Sequence, residues 1–276
     1  MLGGCSFLCT EYIIMRWCIQ AFQKSLRKNR GYSIIIIMYD IIDIHCHLLY
    51  GVDDGAKTIE ESKAMLQEAR RQGITGIILT PHYRHGMFSY PRELIEENFA
   101  MLQPYAGEQG ITMALGTEYH VNSHIVEALE DGRCLTLAGT RYVLAEFSHD
   151  AEYSYIYQMA QELIFHGFVP IIAHIERCAA ITRDMECAYQ LKSLGAWIQI
   201  NADAVLGMEG TAARRFCKKM LKAGYVDVIA SDSHGTVRRA CHMDRCYALL
   251  EKKYGREYAD KLLYHMPYKV LNGVMQ

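Results

Sequence analysis

The feature that most constrains the fold of this chain is an alternation of short apolar runs with longer amphipathic segments from residue 39 onward. The apolar runs are four to six residues long, rich in β-branched side chains and mostly apolar on both faces, as buried parallel strands are. They predict seven strands, at residues 41–44, 74–79, 111–115, 142–145, 169–173, 197–200 and 226–230.

The segments between these runs carry helix signals. Thr58 and Glu61 form a capping box, and Gly73 follows the end of the same segment. The predicted helices cover residues 58–72, 91–102, 153–166, 185–194, 211–223, 244–253 and 257–265. Seven strands with intervening helices favour an α/β fold, a (β/α)7 barrel of the right-handed, parallel, TIM-barrel-like kind.

The first 38 residues differ in character from the rest of the chain. Arg27, Lys28 and Arg30 follow the apolar stretch there, whereas a secretory signal would carry its positive charge before it. The apolar run at residues 12–22 is too short to span a bilayer. We therefore interpret residues 1–38 as an N-terminal extension outside the catalytic fold, with Met38 as a candidate start, and residues 39–276 as one domain. A weakly membrane-associated amphipathic segment and an extra packed helix are the alternatives.

Charge and cysteine content narrow the function classes. The formal net charge is −2 and the pI is about 6.6, so the chain has no bulk attraction to nucleic acid or to an anionic membrane. Ten cysteines are scattered without a Cys-x-x-Cys pair, which indicates reduced thiols and a cytoplasmic location. We expect neither nucleic-acid binding nor stable membrane insertion.

Six of the seven predicted strands end in histidines or carboxylates. These residues are Asp43, His45, His47, His82, Glu118, Glu146, His174, Glu176, Asp232 and His234. In such barrels the C-terminal ends of the strands share one mouth, where the active site lies. The His-x-His and Asp-x-His spacings place both side chains on one face, because side chains alternate along a strand. So many imidazoles and carboxylates predict a metal centre with several ions, and the mixture suits manganese, iron or zinc.

Several motifs carry a family resemblance. They are Asp43-Ile-His-Cys-His47, Val52-Asp-Asp-Gly55, Thr80 to Phe88, Gly116-Thr-Glu118, Ala145-Glu-Phe-Ser148, Ile172 to Arg177 and Ser231-Asp-Ser-His234. In this order they resemble the PHP (polymerase and histidinol phosphatase) superfamily, and within it the metal-dependent bacterial protein-tyrosine phosphatases of capsule and exopolysaccharide biosynthesis. The resemblance implies a distorted seven-stranded PHP-type barrel over residues 39–276 and three divalent ions, commonly manganese, with iron, zinc and magnesium as alternatives.

The resemblance also implies roles for individual residues. The implied ligands are His45, His47, Glu118 and Asp232 for the first ion, Glu118, Glu146 and His174 for the second, and Asp54, His82 and His234 for the third. Asp54 is a ligand by resemblance alone, because Asp53-Asp54-Gly55 by itself favours a turn. Arg177 and Arg239 correspond to the family's phosphate-binding arginines, although the neighbouring Arg238 leaves the second alignment open by one position.

Some features depart from the family or stay outside its motifs. His85 precedes Gly86, and His265-Met-Pro267 stands where relatives carry Asn-Pro, so the rim and the tail are expected to differ locally. His120 follows Glu118 by two positions and is a candidate for a substrate or supporting contact. The other unassigned histidines considered, His124, His149 and His166, are predicted to be surface, packed or loop residues.

The implied activity is metal-dependent hydrolysis of phosphotyrosine in proteins. The implied substrate and partner is a bacterial tyrosine kinase, through the tyrosine-rich tail by which it controls polysaccharide assembly. A cysteine nucleophile is not expected, because the Cys-x5-Arg signature of thiol phosphatases does not occur. A small-molecule phosphatase acting on histidinol phosphate and a non-catalytic metal-binding regulator are the alternatives. The sequence leaves the native metal, the particular kinase and the oligomeric state open.

Overall fold

The computed structural model describes residues 39–273. The predictions made for residues 1–38 lie outside the described residues. The described chain forms an α/β fold in which strands and helices alternate as the sequence predicted. Its strands are β1 (Ile41–Cys46), β2 (Ile74–Leu79), β3 (His82–Arg84), β4 (Phe88–Ser89), β5 (Thr112–Leu115), β6 (Glu118–His120), β7 (Tyr142–Glu146), β8 (Val169–Ile172), β9 (Trp197–Asn201) and β10 (Val228–Ala230).

The helices follow the predicted order, with several short additions. They are α1 (Ile59–Arg71), α2 (Arg92–Glu108), α3 (Ile125–Glu130), α4 (Tyr153–Phe165), α5 (Ala179–Arg183), α6 (Glu186–Leu194), α7 (Ala202–Leu206), α8 (Thr211–Ala223), α9 (Met243–Tyr254), α10 (Arg256–Asp260) and α11 (Met266–Asn272). Two 3-10 turns lie at Leu137–Gly139 and Ile175–Arg177, and a π-helical stretch lies at Lys261–His265.

The strands form two sheets. The first has the order β1-β2-β5, and the second has the order β10-β9-β8-β7-β6-β3-β4. Neighbouring strands are parallel except in the hairpin of β3 and β4. A single bridge between Cys46 and Ser233 joins β1 to the chain just after β10. Regular pairing among the described strands does not close a ring, so the predicted seven-stranded barrel is not confirmed.

Two strands are interrupted just before they reach the predicted mouth. Pro81, which has no N–H to donate to the ladder, separates β2 from β3. Gly116 separates β5 from β6, and a Cβ atom there would lie 2.6 Å from Leu137 Cδ2, so a larger residue would require Leu137 to shift. After the two breaks the backbone pairs again as β3 and β6, with His82 opposite Glu118. The interruptions therefore deliver an imidazole and a carboxylate side by side.

Helix packing covers the sheets and explains where prediction and structure differ. The Thr58 side chain caps α1 by accepting from Glu61 N–H, as predicted. Helix α2 continues through Pro104 to Glu108, because burial of Leu102 and Ala106 against the core outweighs the lost hydrogen bond. Within residues 39–273, every helix is too short or too polar to cross a membrane.

Candidate metal centre

Strand β1 places two histidines on one buried face. His45 Nε2 and His47 Nε2 lie 3.2 Å apart, and neither residue is more than 1% exposed. Cys46 between them points the other way, where its sulfur lies 3.2 Å from Ser233 Oγ. The predicted same-face geometry of the His-x-His motif is confirmed.

Glu118 lies at the centre of the cluster. Its Oε2 atom is 3.2 Å from His45 Nε2, 3.1 Å from His47 Nε2 and 2.9 Å from His82 Nδ1. Its Oε1 atom accepts from His174 Nε2 at 2.8 Å. One buried carboxylate thus faces four imidazoles, which matches the bridging position that the family resemblance implied.

Asp232 and His234 reach the cluster from the segment after β10. Asp232 Oδ1 lies 3.5 Å from His45 Nε2 and 3.6 Å from His47 Nε2. Asp54 approaches from the loop after β1, with Oδ1 at 3.4 Å from His82 Nε2 and 3.3 Å from His234 Nε2. Asp54 is therefore more than a turn residue, although its side chain is 48% exposed.

The donor atoms fall into three groups whose members lie within 4.8 Å of one another. The groups are His45, His47, Glu118 and Asp232; His47, Asp54, His82 and His234; and His82, Glu118 and Glu146. The first equals the predicted first set, and the second contains the predicted third set. In the last group His82 stands where His174 was predicted, although His174 Nε2 also lies 2.8 Å from Glu118 Oε1 and 3.8 Å from Glu146 Oε1. All nine predicted ligands nevertheless lie in one cluster.

Buried atoms without hydrogen bonds test whether this cluster fits divalent ions. Glu118 Oε2 and Glu146 Oε2 make no hydrogen bond of normal geometry, and the same holds for His82 Nδ1, His174 Nδ1 and His234 Nε2. An unpaired buried polar atom is costly, and buried polar atoms normally have a partner. Because these donors are imidazole nitrogens and carboxylate oxygens, they fit manganese, iron or zinc.

Electrostatics lead to the same conclusion. Burial raises the pKa of Glu118, but His45 and the hydrogen bond from His174 hold it well below its usual range. Burial lowers the pKa of His47 and His82, yet Asp53 and Glu118 raise the first to about 9, and Asp54 and Glu118 raise the second to about 11. The cluster therefore holds ionised carboxylates that need positive charge among them, from protons or from cations.

Three residues of the site have a left-handed backbone. The φ angle is 31° at His174, 53° at Asp232 and 50° at Arg239. Side chains other than glycine rarely adopt this conformation, and the strain it stores is concentrated at functional sites. The turns at these residues aim their side chains at the cluster instead of continuing the strand.

The two predicted arginines reach the cluster from opposite sides of Asp232. Arg177 Nη1 donates to Asp232 Oδ2 at 2.8 Å, and Arg239 Nη2 donates to Asp232 Oδ1 at 3.0 Å. Arg239 Nη1 also lies 3.4 Å from Asp54 Oδ2. Arg238 and Arg239 are both exposed, but the contacts of Arg239 with Asp232 and Asp54 favour Arg239 at the alignment that the sequence left open.

Sequence reasoning missed three residues that support the cluster. Asp53 Oδ2 lies 2.7 Å from His47 Nδ1 and accepts from His82 N–H at 3.1 Å, so it orients two candidate ligands. Glu209 binds the Arg177 guanidinium. His149, for which no partner was predicted, has its Nδ1 2.6 Å from the Arg177 carbonyl oxygen. The signal for Asp53 was the doubled aspartate itself.

His120, His124 and His166 do not belong to the three donor groups. His120 Nε2 lies 3.1 Å from Ser148 Oγ, and burial lowers its pKa. His124 and His166 are partnered by glutamates at the surface, at 3.2 Å from Glu127 and 3.1 Å from Glu130. Of the two predicted settings for these residues, surface or packed, the structure shows the surface one.

Cysteine chemistry does not account for a nucleophile within residues 39–273. The seven cysteines described there are free, and burial raises the pKa of every one of them. Cys178, which follows Arg177, is buried and has a pKa of about 12. A thiol with so high a pKa carries almost no thiolate at neutral pH.

Comparison with known proteins agrees with this description. The family described as capsular polysaccharide synthesis, CpsB/CapC, matches residues 41–272. The tyrosine-protein phosphatase CpsB of Streptococcus pneumoniae is 36% identical over 238 residues, which cover 84% of this chain and 98% of that protein. The tyrosine-protein phosphatase YwqE of Bacillus subtilis (strain 168) is 32% identical over 219 residues, covering 79% and 86%.

A solved structure is similar over almost the same range. It comes from crystal structures of YwqE from Bacillus subtilis and CpsB from Streptococcus pneumoniae, described as unique metal-dependent tyrosine phosphatases. The TM-score is 0.77 and the sequence identity 30%, with 85% of this chain and 96% of that chain covered. Sequence and structure comparisons thus lead to the same group of proteins.

Proposed function

Because this chain belongs to the CpsB/CapC family of capsular polysaccharide synthesis, we propose that it is a metal-dependent protein-tyrosine phosphatase of that pathway. One observation carries the proposal. Glu118 Oε2 lies within 3.2 Å of imidazole nitrogens of His45, His47 and His82 and makes no hydrogen bond of normal geometry. A carboxylate oxygen among imidazoles in this way is suited to sharing divalent ions with them.

The ligands of such ions would be the nine clustered residues. They are His45, His47, Asp54, His82, Glu118, Glu146, His174, Asp232 and His234. Bound divalent ions would supply Lewis acidity and lower the pKa of water from 15.7 to about 7. Asp53 would hold His47 in one orientation through the contact at its Nδ1 atom, so that Nε2 stays directed at Glu118.

Arg177 and Arg239 would bind the phosphoryl group. Each guanidinium contacts Asp232 with one terminal nitrogen and is partly exposed, with side chains 38% and 43% accessible. A permanently charged planar fork matches phosphate oxygens and would neutralise charge as it develops. The tyrosine leaving group has a conjugate-acid pKa near 10 and needs only modest assistance, in keeping with a site built for electrostatic stabilisation.

We propose the finer assignments on the same basis. The ions would be three, with manganese as the working metal, and the strands would complete a distorted seven-stranded barrel around them. The substrate would be the tyrosine-rich tail of a membrane-associated bacterial tyrosine kinase. Free cysteines throughout residues 39–273 suit a cytoplasmic location.

Turnover of competing substrates tests the proposal. The enzyme, loaded with Mn²⁺ and separately treated with a chelator, is assayed with a phosphotyrosine peptide, with histidinol phosphate and with p-nitrophenyl phosphate. We expect metal-dependent turnover that is fastest, as kcat/KM, on the phosphotyrosine peptide. Preferred hydrolysis of histidinol phosphate would indicate a small-molecule phosphatase, and metal binding without turnover would indicate a regulator.

A further inference from the structure

Helix α8 carries a row of positive charge that the catalytic cluster does not use. Its outward face presents the set that we call the basic ridge: Arg214, Arg215, Lys218, Lys219 and Lys222. The opposite face is buried through Phe216, Cys217, Met220 and Leu221. The helix contains no Asp or Glu.

The basic ridge differs from several basic side chains on the other helices, which form ion pairs. Arg71, Arg92 and Arg256 each pair with a carboxylate three or four residues away. In the part of the chain that the structure describes, no ridge residue forms an ion pair with a carboxylate. Residues 39–276 contain 24 Lys and Arg against 30 Asp and Glu, so this patch opposes the charge of the domain around it.

The ridge also lowers the stability of its own helix. Arg214 and Lys218, Arg215 and Lys219, and Lys218 and Lys222 are like charges four residues apart, a spacing at which they repel across one turn. Arg214 and Lys218 line a small cavity with Leu221, so their aliphatic parts contribute to packing, while their charged ends form no ion pair in the described residues. A row of like charges of this kind is suited to binding an anion.

The ridge begins beside the catalytic cluster. Arg214 packs over Gly207, where a Cβ atom would lie 2.8 Å from Arg214 Cδ. Gly207 opens the loop that carries Glu209, and Glu209 Oε1 lies 2.9 Å from Arg177 Nη2. From Arg214 to Lys222 the helix rises about 12 Å, the span of about four extended residues.

We propose that the basic ridge binds acidic residues flanking the phosphotyrosine of the protein substrate. This rests on the proposed function, since it takes the phosphotyrosine to lie in the cluster. Acidic side chains next to the phosphotyrosine would lie along α8 while Arg177 and Arg239 hold the phosphoryl group. The ridge would attract the segment before contact and hold it afterwards.

Two matched double variants test the proposal in the metal-loaded full chain. Arg215→Gln/Lys219→Gln removes one Arg and one Lys from the ridge and leaves Arg214 on Gly207. Arg141→Gln/Lys261→Gln removes the same charges from two other exposed positions, of which Arg141 directly precedes β7 and so lies at the end of that strand away from the cluster. Three peptides, each with one phosphotyrosine, are compared. Four Glu precede the phosphotyrosine in the first and follow it in the second, and the third carries four Gln in place of the Glu residues.

The ridge variant should lower kcat/KM by about tenfold at low ionic strength on at least one of the Glu peptides. The loss should shrink to less than twofold at about 0.5 M salt, where charges are screened. The kcat/KM for the Gln peptide and for p-nitrophenyl phosphate and the metal content should not change, and Tm should stay the same or rise because a repelling pair is removed. The control variant should turn over every peptide as the wild type does.

Other outcomes would overturn the proposal in distinguishable ways. Equal kcat/KM for ridge variant and wild type on both Glu peptides would refute ridge docking and leave the phosphatase function intact. If the ridge variant instead loses sedimentation with vesicles of phosphatidylglycerol while turning over all peptides normally, the ridge binds a membrane surface. A wild-type enzyme that turns over no phosphotyrosine peptide would refute the proposed function itself.

Discussion

Glu209 binds Arg177 at two points, with Nη2 at 2.9 Å from Oε1 and Nε at 3.3 Å from Oε2. This contact occupies the side of the guanidinium that a phosphate would need for a two-point contact. Only Nη1 is directed at Asp232. If Arg177 binds the phosphoryl group as proposed, Glu209 would be an internal anion that competes with substrate for it.

Replacing Glu209 by Gln should tighten substrate binding. A neutral amide competes less well with a phosphate dianion than a carboxylate does. Loss of this partly exposed ion pair should improve the binding free energy of a phosphotyrosine peptide by roughly 0.5–1 kcal/mol, so its KM should fall. Steady-state kinetics measure this, with Glu257→Gln on α10 as the control. A higher KM, or a fall in kcat alone, would mean that Glu209 orients Arg177 instead.

Arg177 and His174 should separate phosphate recognition from metal binding. Arg177→Ala should keep the metal content near wild type while lowering kcat/KM by about 2–4 kcal/mol, because the guanidinium acts on developing charge. His174→Ala should lose metal as well as activity. Elemental analysis measures the metal content of both variants, and phosphopeptide kinetics measure their activity. Full activity in Arg177→Ala, or metal loss as large as in His174→Ala, would contradict the assignment of Arg177 to phosphate binding.

Asp53→Asn should weaken metal binding without removing a ligand. The Asp53 carboxylate contacts His47 Nδ1, and loss of such a supporting partner lowers metal affinity by about 10–100-fold. Titration of the metal-stripped enzyme with Mn²⁺ measures this, and excess Mn²⁺ should restore most of kcat. Unchanged metal affinity with a lost kcat would argue for a direct role of Asp53 in the reaction.

Thiol reagents and chelators should have opposite effects. Cys178 is the cysteine next to Arg177, and its buried thiol with a pKa of about 12 should resist iodoacetamide at neutral pH. Turnover should therefore survive alkylation and stop on chelation, with recovery when Mn²⁺ is added back. Activity lost to iodoacetamide while the metal content stays constant is the result that this mechanism cannot accommodate.

The sequence predicted the buried strands well because their side chains are apolar on both faces. Residues 74–79 illustrate this, since almost every residue there is buried. In residues 41–46 the buried Asp43 and His45 are the polar exceptions. Prediction missed β3 and β6 because each has only three residues and stands alone behind the break at Pro81 or Gly116. Their pairing depends on tertiary contacts that periodicity does not record.

The candidate ligands were predictable because strand ends and spacing encode them locally. His45 and His47 share a face by alternation alone, whereas the grouping of His82 with Glu118 and Glu146 depends on how two interrupted strands shift. Glu209 lies in a loop between two helices, and no local pattern connects it with Arg177. Its role could be found only from coordinates.

The cluster joins the two ends of the catalytic fold. His45 and His47 come from its first strand and Asp232 and His234 from the segment after its last, and only one bridge joins the sheets nearby. Ions bound by residues from both ends would link β1 to the segment after β10, where only one β-bridge pairs the backbones. Ion binding would therefore stabilise the folded chain, and more so at higher occupancy. Without ions the chain would unfold first at this junction and be cleaved there by proteases. Metal supply would then affect the cellular lifetime of this protein as well as its activity.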